Sequence, residues 1–211
     1  MLARYLLYAG EGRIVLPAIP PVEAPLPQEL KQWLDDSRSG DVVYVSFGTM
    51  VRPSVQTVMN IVAAVSRHGR RILLQYSDPF PAAPGVRLER WVPQAAVLSH
   101  SAVSLFITHG GAASVEESLW AGKPMLCIPN VWDHYYYSWI VGLLGAGIRF
   151  PRRSLGSPRR LSAALGKAMR PEYADRAKSL SRIMHEQWSA NQKGVINLFC
   201  TSQSRVKDPA A

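Results

Sequence analysis

Between Trp91 and His134 the chain gathers most of the side chains that could hold a charged, polar small molecule. The run from Val103 to Thr108 reads as a strand, breaks into His109-Gly110-Gly111, and continues as a helical segment carrying Ser114 and Glu117. A strand feeding a glycine turn and a helix N-terminus suits phosphate, because the turn exposes backbone N–H groups and the helix dipole favours an anion there. Gly110 and Gly111 permit the tight turn and close backbone approach. His109 can add a donor or a positive charge at that point, and Ser114 a hydroxyl donor. About one helical turn further on, Glu117 is an acceptor placed to catch sugar hydroxyls. Trp91 offers a flat apolar face to a base; Asp133 and His134 offer polar groups beyond the phosphate. Base, ribose, phosphate and sugar in that order predict a nucleotide-sugar site.

The elements that must position these residues alternate between strand and helix. Val42–Phe47, Arg71–Tyr76, Val86–Arg90, Val103–Thr108 and Met125–Ile128 read as strands, with a short candidate at Ile148–Phe150. Val55, Val58, Met59, Val62 and Val65 recur at helical spacing up to Gly69, and a helix from about Gly111 to Ala121 puts Val115 and Leu119 on one face before Gly122 and Pro124. Glu116 on that helix points elsewhere and is expected in solvent. The alternation predicts an α/β fold, a doubly wound parallel sheet. Ligands of such sheets lie beyond the carboxyl ends of the strands. The loops holding Gly48-Thr49, Trp91 to Gln94, His109 to Gly111 and Asn130 to His134 all follow strands, so they should converge on one rim.

The segment W-V-P-Q, F-I-T-H-G-G, S-V-E-E, G-K-P and the closing Asp133 resembles the donor-binding signature of UDP-dependent glycosyltransferases, the metal-independent, inverting class with GT-B architecture. V-V-Y-V-S-F-G-T over residues 42–49 is similar to the first strand and phosphate loop of the same domain. The resemblance implies a Rossmann-like domain, the C-terminal half of a GT-B enzyme, that moves a hexose from a UDP-sugar with no metal and no separate cofactor. It implies stacking of uracil on Trp91, Gln94 at the base edge, Gly48 and Thr49 in the phosphate loop, and His109 and Ser114 on the diphosphate. Glu117 would take both ribose hydroxyls and Asp133 would orient the sugar. The plainer alternatives are a core tryptophan at a strand end for Trp91 and a helix N-terminal residue for Gln94. His100 is read as a brace for its loop.

Two positions depart from the family pattern. Ala113 stands where Asn is usual, removing one amide contact to phosphate. His134 stands where Gln is usual, a position whose variation in the family accompanies galactose in place of glucose donors. The family's catalytic base, a His supported by an Asp, comes from an N-terminal acceptor domain, and no histidine of this chain sits in such a motif. The implied partners are therefore a UDP-sugar and an acceptor half supplied in cis or in trans. The competing reading is a non-catalytic nucleotide-sugar-binding module or subunit.

Composition bounds the rest. The chain has 211 residues, 47% of them hydrophobic, and a mean hydropathy of −0.02, values of a globular protein. No run of about 18 apolar residues exists to span a membrane. Residues 1–26 are expected to be linker or lead-in from a preceding domain, with Met1 to Ala9 a short strand or helix and the Pro-rich stretch after it, with five prolines between Pro17 and Pro27, an extended linker. The domain should follow over 27–200, helical from about Pro158 to near Cys200, with a frayed tail over 201–211. Cys127 and Cys200 match no disulfide or zinc pattern; Cys127 reads as a core thiol. A cytoplasmic location fits, with a soluble fragment of a membrane-anchored enzyme as the alternative. Of the net charge of +9, most falls between Arg149 and Arg182, where ten cations face only Glu172 and Asp175. Without aromatic interleaving this reads as a solvated helical face, not a nucleic-acid surface.

Overall fold

The computed structural model describes residues 24–191 together with the segments 7–9, 13–17 and 195–199. Strands β1 (Leu7–Ala9), β2 (Arg13–Pro17) and β9 (Val195–Phe199) form an antiparallel sheet in the order β1-β2-β9. This corrects two expectations. β1 lies where a short lead-in strand or helix is expected, but β2 falls in the stretch read as extended linker, and the C-terminal helical region ends at Asn191 before a strand. Val195–Phe199 finds a ladder partner in β2, with Val195 opposite Pro17 and Phe199 opposite Arg13. A partner strand supplies the backbone hydrogen bonds that another turn of helix would have made. Cys200 and the tail at 201–211 lie outside the described residues.

The body of the chain is a six-stranded parallel sheet built from β3 (Val42–Ser46), β4 (Arg71–Gln75), β5 (Val86–Glu89), β6 (Val103–Thr108), β7 (Met125–Cys127) and β8 (Gly147–Arg149), in the order β5-β4-β3-β6-β7-β8. The sequence predicts a doubly wound parallel sheet of this kind. Successive side chains of a strand point to opposite faces. Val42 and Tyr44 accordingly pack with α1 (Gln28–Asp35), α3 (Gln94–Ser99), α4 (Ala112–Trp120), α5 (Trp132–Leu143) and α7 (Pro171–Asn191). Val43 and Val45 pack on the other face with α2 (Val55–Ser66) and α6 (Pro158–Ala168). On β6 the pairing jumps from Val42↔Val103 to Val43↔Leu105, leaving Ser104 as the extra residue of a bulge. The bulge resets the alternation, so Val103 and Phe106 share one face although they are three residues apart.

Helix boundaries follow local chemistry. Ser54 caps α2 by accepting from the Thr57 N–H, and Ser157 caps α6 ahead of Pro158. Pro171 starts α7 and separates it from α6. Glu116 is only 4% exposed, against expectation. Helix α4 is packed by α3, α5 and α7, which leaves it little solvent face. Among the described residues, no helix is long and apolar enough to cross a membrane.

Candidate functional site: a cleft at the carboxyl rim

The loops after β3, β5, β6 and β7 open on the same rim and enclose a cleft of about 580 Å³. Gly48, Thr49, Trp91, Gln94, His109, Gly111, Ser114, Glu117, Asp133 and His134 all line it. Topology alone predicts this convergence, since each loop leaves the carboxyl end of a parallel strand. Gly110 is the exception among the expected residues: it forms the turn beneath the cleft. Its φ is +79°, and a Cβ there would collide with the Ser138 hydroxyl. The Gly110 N–H donates to Thr108 Oγ1 at 3.2 Å, closing the turn at the end of β6.

The turn exists to place His109. Its ring lies between Gly48 and Gly111; a Cβ on Gly48 would come within 2.8 Å of His109 Cε1, and one on Gly111 would strike Nε2. Gly48 also has φ +68°, which disfavours any side chain. His134 meets His109 edge to face, with ring centroids 4.5 Å apart. Burial, and then the neighbouring His134, push the His109 pKa down to about 4, with Asp133 pulling the other way. His109 is therefore a neutral imidazole at pH 7, with one nitrogen donating and one accepting. Burial also lowers the His134 pKa. His134 is buried, and its Nδ1 has no hydrogen-bond partner among the described residues.

The opposite wall is a hydrogen-bonded chain. Gln94, the first residue of α3, donates from Nε2 to Glu117 Oε2 at 2.6 Å and to Ser114 Oγ at 3.2 Å. Gln94 thus orients the two α4 side chains, a part its position in the sequence did not reveal. Beneath it the Tyr44 hydroxyl donates to Gln75 Oε1 at 2.7 Å, with Gln94 Oε1 at 3.3 Å on its other side. The Ser46 hydroxyl also donates to Gln75 Oε1, at 3.1 Å. Tyr44 is buried and stacked on Phe106 at 4.8 Å. Desolvation raises its pKa, so the phenol stays protonated and able to donate.

Ser46 and Gln75 line the cleft, with Tyr44 supporting them from below, and sequence reasoning missed all three. The available signal was a polar residue closing each of two adjacent apolar strands on the rim side. At the mouth stand Trp91, 64% exposed, and Met50, 92% exposed. Ala113 also lines the cleft and leaves a methyl where an amide would reach inward. His100 faces away from it: its Nε2 lies 3.0 Å from Asp35 Oδ1, and its Nδ1 accepts from the Ala102 N–H, bracing the start of β6. Cys127 is buried and free, its thiol pKa pushed up to about 12 by desolvation.

The sequence profile of the family described as UDP-glucoronosyl and UDP-glucosyl transferase matches residues 20–190. The chain belongs to this family. Its relatives include the UDP-glucuronosyltransferase 2A3 of Mus musculus, 32% identical over 166 residues, a match covering 77% of this chain and 31% of the relative. The 2-hydroxyacylsphingosine 1-beta-galactosyltransferase of Homo sapiens is 31% identical over 185 residues, covering 86% of this chain and 33% of the relative. Among solved structures, a UDP-glucose: anthocyanidin 3-O-glucosyltransferase in complex with UDP superposes with a TM-score of 0.66 at 27% identity, covering 78% of this chain and 40% of that one. The structural neighbours are GT-B glycosyltransferases. The chain thus spans about a third of the length of the curated transferase relatives it matches.

Proposed function

We propose that this chain is the donor-binding half of a glycosyltransferase that moves a hexose from a UDP-sugar, with inversion, to an acceptor held by a separate half in cis or in trans. The observation that carries the reading is the convergence of Trp91, His109, Ser114, Glu117 and Asp133 on one cleft, from two loops and two helices. UDP in the anthocyanidin 3-O-glucosyltransferase relative supports the ligand class.

In this reading the base stacks on Trp91 and the ribose hydroxyls meet the Glu117 carboxylate, held in place by Gln94. The diphosphate lies against His109, Ser114 and the N-terminus of α4, where backbone N–H groups and the helix dipole favour an anion. Departure of UDP builds negative charge on the β-phosphate. Donors fixed there act more strongly as the bond breaks, which is how they lower the barrier. Asp133 and His134 face the sugar. The remaining histidines are committed elsewhere: His68 to Ser162, His100 to Asp35 and His185 to the Trp120 carbonyl. The acceptor's proton is taken by a group of the other half.

Calorimetric titration with UDP, UDP-glucose, UDP-galactose and dTDP tests the proposal. UDP and at least one UDP-sugar should bind with one site per chain. Trp91→Ala should weaken UDP by about 1–3 kcal/mol, the worth of stacking on one aromatic ring. Absence of saturable UDP binding would sink the reading, and unchanged affinity in the variant would remove the stacking role.

A further inference from the structure

A second cavity, of about 280 Å³, opens on the other side of the β3 loop, over α2. Its floor is apolar, made by the buried side chains of Phe47, Ile128 and Leu155. Its mouth carries Arg52 and Arg152, joined by Asn130 and the hydroxyl-bearing Ser54 and Thr57. No carboxylate lines it. We infer that this cavity is a binding site for a small organic anion, an apolar body bearing a carboxylate or phosphate group, distinct from the donor cleft.

Three features of the molecule carry the assignment. The first is that neither arginine side chain makes a hydrogen bond or ion pair with any described residue. Other arginines near the sheet are engaged: Arg70 with Asp41 and the Gly40 carbonyl, Arg71 with Ser37 and the Trp33 ring, Arg87 with Glu89, and Arg176 with the Leu144 carbonyl. Two arginines that line one cavity, with no carboxylate among its lining residues, can both give a bound anion planar, two-pronged hydrogen bonds.

The second is rigidity on both walls. The Tyr76 hydroxyl donates to the Pro53 carbonyl at 3.0 Å, fixing the residue after Arg52. The Asn60 amide donates to the Leu155 carbonyl at 3.1 Å, tying the turn that carries Arg152 to α2. The arginine stems therefore leave anchored backbone, which lowers the ordering cost of binding.

The third is the local field. Between Asp133 and Glu172 the sequence has no acidic residue against six arginines and one lysine. Arg159 and Arg160 occupy the first turn of α6, where the helix dipole disfavours cations, and neither α2 nor α6 has an acid in its first turn. The basic face thus has its cavity at Arg52 and Arg152. Its apolar floor selects an organic anion over a free inorganic ion, because only the former buries hydrocarbon on Phe47 and Leu155.

This inference stands apart from the donor reading, and the test keeps them apart. The whole chain is titrated with phenyl phosphate and with inorganic phosphate, without UDP and with UDP at saturation, alongside R52Q, R152Q and the surface control R160Q. Phenyl phosphate should bind one site with the same affinity in both conditions, and more tightly than inorganic phosphate. Each of R52Q and R152Q should weaken it at least about tenfold, the loss of a charge-assisted contact. R160Q should stay within about twofold, and UDP affinity should be unchanged in all three. Displacement by UDP would put the anion in the donor cleft and overturn the inference. So would unchanged affinity in R152Q, an equal loss in R160Q, or phosphate binding as tightly as its phenyl ester. If the chain does not bind UDP at all, the phenyl phosphate titrations still decide the question.

Discussion

His109 is held as a neutral imidazole by burial and by the second ring of His134. Its pKa of about 4 lies below the ordinary value of 6.5, so between those two the unfolded chain binds the extra proton more readily. The contribution to stability is complete above about pH 6.5 and is lost as pH falls through about 4. His109→Gln should flatten that limb of a stability-against-pH curve measured by urea unfolding, and a curve with unchanged shape would contradict the burial argument. A diphosphate against His109 reverses the balance, because an anion favours the protonated ring. UDP binding should then take up a proton near pH 5.5, read calorimetrically as a heat that changes with the ionisation enthalpy of the buffer. No buffer dependence would contradict protonation of His109 on binding. At this scale the sequence was legible in the placement of Trp91, His109, Ser114 and Glu117 on one cleft. It was silent on Tyr44, Ser46 and Gln75, whose roles come from the side-by-side register of β3 and β4, Ser46 opposite Gln75.

The rim depends on loops that can turn sharply without displacing the strands. Gly110 carries the heaviest demand, with a left-handed φ and the Ser138 hydroxyl where a Cβ would sit. Gly110→Ala should cost about 1–3 kcal/mol of stability by urea unfolding, the usual range for forced backbone strain. It should also weaken UDP, since the turn aims His109. A variant as stable as the parent would mean that the turn relaxes easily. The six parallel strands were legible to within a residue at their ends, because Val, Ile, Leu and aromatic runs bounded by Gly and Pro leave few other choices. Two errors share one cause. Glu116 was expected in solvent and the chain up to Cys200 in helix, and both were decided by tertiary neighbours: three helices around α4, and β2 beside β9. Met59 likewise fitted the apolar spacing of α2 yet is exposed, since the buried stripe runs through Val58, Ile61, Val62 and Val65.

On the proposed reading the chain supplies donor recognition and leaving-group stabilisation, while transfer also needs a base within about 3 Å of the acceptor hydroxyl. The chain on its own should therefore show no transfer to acceptors, and adding an acceptor half in trans should restore it where the two surfaces dock. Efficient glycosylation by residues 1–211 alone would mean that the base lies among them. Fold and cleft were legible at this scale because the topology puts every strand-ending loop on one rim. The basic cavity was not, since Arg52 and Arg152 are a hundred residues apart in sequence and are brought together only by the packing of α2 against the turn after β8. The central claim is that this rim reads a ribonucleoside diphosphate through Glu117. Its most direct test is the affinity of the chain for UDP against 2′-deoxy-UDP, measured in the parent and in Glu117→Ala. The parent should prefer UDP by about tenfold or more, as expected when a hydrogen bond to a charged group is lost, and the variant should show no preference. Equal affinity of the parent for both nucleotides would contradict the account.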